Sequence, residues 1–339
     1  MAVYMWFDIV KLLVSLGIIL LSCELFTNGI EWLGKKLKFG DGVVGSIFSA
    51  VGTCLPETMI PIIAILFTKG SENNVDIGIG AIIGAPFMLS TLAFFLTGMS
   101  VLVFWKRRKS GLAMHVNEKI LARDIGFFII IYSIGVAASF VDILLVKYLV
   151  AMFLIGYYIY YIVLTVKNDV CTDCEIEDLY LSRLLKFKPE LAFIVLQIAL
   201  ALIGIIFGAE IFVGSIESTA EIFGISALAL SLIITPVATE LPEKFNSIIW
   251  ISKRKDTLAL GNITGAMVFQ SCIPVSIGIL ATHWQLDMKA IVSALMAILS
   301  SLVVFLWLKL KQSLNPVPLI LGGIFYAGFI GYLISTGFQ

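Results

Sequence analysis

Two stretches decide how this chain is read: Ser49-Ala-Val-Gly-Thr-Cys-Leu-Pro-Glu57 and Thr235-Pro-Val-Ala-Thr-Glu-Leu-Pro-Glu243. Val, Thr, Leu, Pro and Glu recur between them at one fixed offset of 186 positions. The same offset carries Glu24 onto Glu210, Phe26 onto Phe212 and Glu31 onto Glu217, so a single register spans the first two apolar segments of each half. Further on, Gly80-Ala-Ile-Ile-Gly-Ala85 matches Gly261-Asn-Ile-Thr-Gly-Ala266 at an offset of 181, which places five extra residues near Ser71 to Val75. The chain is an internal duplication.

Composition fixes the solvent in which that duplication folds. Of 339 residues 60% are hydrophobic and only 14% charged, with a mean hydropathy of +1.03. A soluble domain averages nearer half apolar and a quarter charged, so the chain reads as an integral membrane protein with no room for a large soluble domain. Its 23 basic and 23 acidic residues cancel, which removes the reason to expect nucleic acid as a partner. No basic n-region or cleavage pattern precedes the first apolar run, and that run reads as a retained helix.

A span needs about 20 apolar residues, and charged or Gly-rich breaks leave ten such runs: 7–34, 42–68, 77–105, 124–141, 146–166, 190–216, 226–252, 257–281, 288–308 and 317–337. Most of the basic residues fall in alternate loops, among them Lys35, Arg108, Arg123, Arg183, Lys253 and Lys309. The positive-inside rule then puts both termini outside the cytoplasm, with a cell membrane as the expected location. The long polar stretch 167–189 is a cytoplasmic linker between a first repeat at 1–166 and a second at 190–339. Five spans per half is an odd number, so the second repeat enters the membrane inverted. The expected fold is an all-α membrane protein of ten transmembrane helices, arranged as two inverted five-helix repeats with helices broken at the midplane.

The chemistry follows from what lipid does to charge. A carboxylate deep in a span costs several kcal/mol unless a cation, a proton or a counter-charge accompanies it. Glu57 and Glu243, occurring as a symmetric pair, point to a shared ligand. The proline before each glutamate removes a helix hydrogen bond, and the break is expected to free carbonyls around Ala50 to Thr53 and Pro236 to Thr239. Carboxylates, the Thr53 and Thr239 hydroxyls and such carbonyls form an all-oxygen set suited to a hard cation, Ca²⁺ above all, with Mg²⁺ or Mn²⁺ as alternatives. Glu24 and Glu210 read as groups on an access path or at helix ends. The small-residue spacing of Gly80 and Gly84, and of Gly261 and Gly265, favours close helix packing. His115 and His283 fall in loops, and Asn262-Ile-Thr264 is a glycosylation match inside a span, hence discounted. Cys171 and Cys174 form one isolated CxxC in the linker, while Cys23, Cys54 and Cys272 read as small core residues.

On these residues the chain resembles the Ca²⁺/cation antiporters, the sodium/calcium exchangers and their relatives, whose two repeats carry G-T-S-L-P-E followed by G-N-x-x-G-S-N. The resemblance implies that Glu57 and Glu243 ligate Ca²⁺. It further implies that Thr53, Ala50, Thr239 and Pro236 supply hydroxyl and carbonyl oxygens for Na⁺ or Ca²⁺. Access to the site would alternate as the first and sixth helices slide over the other eight. The chain departs from the pattern at Cys54 and Glu240, at Ala85-Pro86 and Ala266-Met267, and at Leu89 and Gln270, where the exchangers carry an Asn or Asp; Gln270 alone keeps a polar oxygen for the site. Glu240 gives a Thr-Glu pair similar to that of the proton-coupled exchangers, so Na⁺ and H⁺ both stand as the coupling ion.

Lys244, one residue from Glu243 and about 12 Å of helix from its end, either snorkels to water or pairs with Glu240, Glu210 or Glu217 as a tethered cation. The function expected is secondary antiport of Ca²⁺ against Na⁺, or alternatively H⁺, with no cofactor and with the oligomeric state left open. A non-transporting ion-binding relative is the next reading. An intramembrane enzyme lacks any His-containing zinc signature and leaves the duplication unexplained.

Overall fold

A computed structural model describes residues 2–37, 54–67, 72–108, 111–168, 178–186 and 188–336. The chain folds as a bundle of helices named here in order: α1 Ala2–Lys36, α2 Leu55–Leu66, α3 Glu72–Met88, α4 Phe94–Phe104, α5 Glu118–Ala137, α6 Leu144–Asn168, α7 Tyr180–Leu185, α8 Leu191–Phe223, α9 Ala227–Ser252, α10 Asp256–Ala281, α11 Met288–Lys311 and α12 Pro316–Thr336. Between α3 and α4 the chain passes through a π-helical turn, Leu89–Ala93, without leaving the helix axis. Among the described residues there is no strand, only an isolated bridge between Met114 and Leu314.

Among the described residues eight helical stretches are long and apolar enough to cross a membrane, and the chain is a multi-pass integral membrane protein. The linker is not wholly a loop: α6 runs on to Asn168 and α7 forms a short helix within it. Helix starts follow local chemistry. Asn117, Ser226 and Asp287 each accept a hydrogen bond from the backbone N–H three residues on, which occupies a donor that the first turn leaves over. Gly224 ends α8 in the left-handed conformation, φ +63°, where a Cβ would be strained.

Two apolar cores organise the bundle. The larger joins α3 to α6 with α10 to α12, and the smaller gathers α1 and α8 against α2. Helices α1 and α8, of 35 and 33 residues, extend to about 50 Å, well beyond the ~30 Å hydrocarbon core, so they must cross it tilted. They pack chiefly on each other. Small residues allow this, because a Cβ at Gly204 would collide with Ser22 Oγ and one at Gly208 would come within 2.9 Å of Ile19.

Besides α1 on α8, the halves meet most extensively where α3 lies on α9. A Cβ at Gly80 would sit 2.7 Å from the Leu228 carbonyl oxygen, and one at Gly84 would collide with that of Leu232 and press on Pro236. Ser231 Oγ crosses the same interface to the Ile77 carbonyl at 2.7 Å. The expected packing role of the first glycine pair is therefore explicit. For Gly261 and Gly265 the positions equivalent to Leu228, Leu232 and Pro236 are 42, 46 and 50, which lie outside the described residues.

One basic residue counted from sequence among loop charges has a different place. Arg108 is buried, with its guanidinium fork on both oxygens of Asp256 at 2.7 and 2.5 Å and on the Ile251 and Ala113 carbonyls. Loop position alone could not reveal a partner 148 residues away. The bond pins the segment after α4 to the first turn of α10.

Because a backbone carbonyl cannot rotate aside as a side chain does, Gly84→Ala is expected to destabilise the protein by at least about 2 kcal/mol. Thermal unfolding in detergent should register this as a lowered midpoint, and an unchanged midpoint would refute the close approach.

Candidate functional site

Glu57 lies in the first turn of α2 and is 4% exposed. Helix α2 packs on α3 and α8 and touches α9 and α10, so this carboxylate stands where both halves converge. Cys23 of α1 lies within electrostatic reach of it, which places α1 at the flank of the site. Thr58, beside Glu57, returns its hydroxyl to the Cys54 carbonyl at 2.7 Å and is thereby occupied.

Glu240, Thr239 and Pro236 are all buried on α9. Thr239 Oγ1 donates to the Thr235 carbonyl at 3.0 Å, leaving its lone pairs as what it can offer a cation. Glu243 follows one turn after Glu240 in the same helix; its side chain, like Thr53 and Ala50, lies outside the described residues. Among the described residues no three His, Cys, Asp or Glu side chains form a metal cluster. Cys171 and Cys174 also lie outside the described residues.

The expected midplane break is absent from the second motif. Helix α9 is continuous from Ala227 to Ser252 through Pro236 and Pro242, because proline's fixed φ is itself helical and a single missing bond can be tolerated when neighbouring helices hold the segment. What each proline does is withhold one N–H, from the carbonyl four residues back. Pro242 withholds it from Ala238 and Pro236 from Leu232, the carbonyl against which Gly84 packs. In the first motif Pro56 stands at the start of α2, and the residues before Cys54 lie outside the described ones.

The same rule exposes two oxygens that the motif comparison passed over. Pro61 lies inside α2 four residues after Glu57 and withholds the usual donor from the Glu57 carbonyl. Pro274 lies inside α10 four residues after Gln270 and does the same there. Gln270 is 1% exposed, and among the described residues its side-chain Oε1 has no hydrogen-bond donor. Each of these two residues thus brings a side-chain and a backbone oxygen. A search for proline four residues beyond a polar group would have found both.

Leu89, which corresponds to Gln270, is fully buried at the start of the π-helical turn, a distortion often met at functional sites. Glu24 is exposed and accepts from Tyr180 Oη at 2.8 Å, lining with Tyr180 and Arg183 a cleft of about 520 Å³. Glu210 is exposed too. Sequence reasoning also missed Asp124. It is buried in α5, bonded by Arg123 at 2.8 Å and by Thr264 at 3.3 Å, and ties α5 to the second Gly-x-x-x-Gly stretch. Its signal was an Asp inside an apolar run directly after an Arg. Lys244 does not reach water: its side chain is 2% exposed and its Nζ lies 3.6 Å from Glu240 Oε2. Snorkelling fails because eight further residues of α9 stand between it and the helix end.

Buried carboxylates inside an apolar helical bundle are what a cation-handling membrane protein requires. The chain belongs to the sodium/calcium exchanger family, whose model matches residues 7–167 and 193–337, and it is accordingly a transporter of that superfamily. Inner membrane protein YrbG of Escherichia coli is 23% identical over 327 residues, covering 95% of this chain and 94% of the relative. The H⁺/Ca²⁺ exchanger CAX superposes with a TM-score of 0.73 at 18% identity, over 96% of this chain and 82% of the other. The sodium-calcium exchanger NCX_Mj superposes at 0.57 with 21% identity, over 96% and 98%. At these identities the structural likeness establishes a shared fold.

If Gln270 offers its oxygens to the ion, Gln270→Leu should weaken Ca²⁺ binding about tenfold, or ~1.4 kcal/mol, while leaving the melting midpoint equal or higher, since it removes a buried polar group. Calorimetric titration with Ca²⁺ decides: unchanged affinity removes Gln270 from the site.

Proposed function

We propose that the protein is a secondary antiporter exchanging Ca²⁺ for Na⁺, with Glu57 and Glu243 as the shared binding site. The observation that carries this reading is the burial of Glu57 where α2, α3, α8 and α9 converge. Thr53, Thr239 and Gln270, with the carbonyls of Ala50 and Pro236, would complete the oxygen set. The ion is cargo, held first on one side and then on the other. The architecture read from sequence belongs to the same proposal: ten spans as two inverted repeats at 1–166 and 190–339, in a cell membrane with both termini outside the cytoplasm. The clustering of α1 with α8 in a smaller core against α2 suits the sliding pair that alternating access requires.

Proton coupling is the second reading, and one residue favours it. Glu240 is a further carboxylate, 1% exposed, where the first motif has Cys54. The likeness to an H⁺/Ca²⁺ exchanger as well as to a sodium-calcium exchanger leaves both couplings compatible with the fold.

Uptake of ⁴⁵Ca²⁺ into proteoliposomes separates them, driven either by an outward Na⁺ gradient at equal pH or by an outward H⁺ gradient without Na⁺. Sodium-driven uptake is expected, and proton-driven uptake alone would shift the assignment to the carboxylates with Glu240 foremost. Glu57→Gln and Glu243→Gln should each lower uptake about 100-fold or more, the scale of a buried charged partner lost, ~3 kcal/mol. Normal flux in either would contradict the site.

A further inference from the structure

Lys244 is a cation enclosed in the carboxylate region of a cation transporter. It and Glu240 lie one turn apart on α9, each side chain 2% exposed, with Nζ 3.6 Å from Oε2. Burying an ammonium in a membrane is costly even when paired, and a hydrophobic pair would hold one turn of helix at less expense in free energy. The position is also particular, since Lys244 is adjacent in sequence to Glu243, the second motif glutamate.

Charge counting gives the pair a role. In the proposed site the ionised carboxylates of Glu57, Glu240 and Glu243 would supply three negative charges and the Lys244 ammonium one positive charge, a net of two negative charges. A single Ca²⁺ cancels them, and so do two monovalent cations. A loaded region with uncompensated charge is penalised in low dielectric, which makes these two loadings the ones best able to cross.

We propose that Lys244 is a built-in counter-ion occupying the place of one transported monovalent cation, and that it sets the exchange at two monovalent ions per Ca²⁺ with no net charge moved. This rests on the proposed site at Glu57 and Glu243. It makes the same demand whether the monovalent ion is Na⁺ or H⁺.

The test is the equilibrium ⁴⁵Ca²⁺ ratio across proteoliposomes of the full chain, at a fixed monovalent-ion gradient and with the membrane potential set by K⁺ and valinomycin. In the wild type a change of about 100 mV should alter that ratio less than twofold. Lys244→Gln should admit a third monovalent ion, move one charge per cycle, and change the ratio about 50-fold over the same ~100 mV. The double variant Glu240→Gln/Lys244→Gln keeps two net negative charges and should return to voltage independence. A purely structural pair would leave the voltage response alike in all three proteins, and that result overturns the proposal. Should Lys244→Gln fail to fold, net charge movement by the wild type or the double variant overturns it equally. Wild type that carries no Ca²⁺ under any gradient defeats the exchange reading itself, a result distinct from Ca²⁺ exchange with the wrong charge.

Discussion

The contact on which the rest of the structure depends is the approach of α3 to α9. Pro236 withholds an N–H from the Leu232 carbonyl, and Gly84 faces that oxygen so closely that a Cβ there would collide with it. Two helices this close exclude lipid and leave no room for side chains between them. The polar groups on α9 beside the contact, Thr235, Thr239 and Glu240, are all buried. Ser231 reinforces the contact one turn away. At the bundle's edge, the Arg108 fork on Asp256 keeps the segment after α4 and the start of α10 from drifting apart.

Against that fixed body, α1 and α8 form a looser second one. Their shared interface is lined by small residues and by the Asn28 and Gln197 amides, which bond each other at 3.0 Å, while their contact with the rest runs mainly through aliphatic side chains of α2 and α9. Apolar contacts have no directional hydrogen bonds to break, so a helix pair resting on such a surface can exchange one interdigitated packing for another. Directional bonds concentrate within each body: Tyr180 with Asn28, and Leu181 and Asn28 with Gln197, on one side, Asp124 with Thr264 on the other. The proposed alternating access asks for that division, rigid parts joined by a greasy seam.

Much of this was legible in the chain. The 186-residue register located both motif helices, and the helices α6, α9, α10, α11 and α12 begin and end within a few residues of the apolar runs read from hydropathy, because charge and Gly breaks coincide with the real ends. Burial of Glu57 and Glu240 followed from their place in apolar surroundings. What failed was inference from one residue in isolation. Proline before Glu243 implied a break, yet α9 continues, since one missing N–H is tolerable in a packed helix. Arg108 was counted only as one charge of a basic loop, yet it meets an Asp far along the chain. Asp124 was overlooked because its partners, Arg123 and Thr264, make sense only once α5 lies on α10.

The two halves have also parted company chemically. Where the first half has Cys54 the second has Glu240, and where the first has Leu89 the second has Gln270. The first half contributes Glu57 and a glycine surface, Gly80 and Gly84, on which α9 can seat. The second contributes the surplus charge, Glu240 with Lys244, and the extra amide oxygen. A duplication starts with equivalent faces, and each added polar group on one copy must find its counterpart on the same copy or on the partner. Lys244 found its counterpart one turn away on the same helix, so the change could arise within α9 without a matching change in α2. Steric complementarity thus stayed divided between the halves while charge balance became local to one of them.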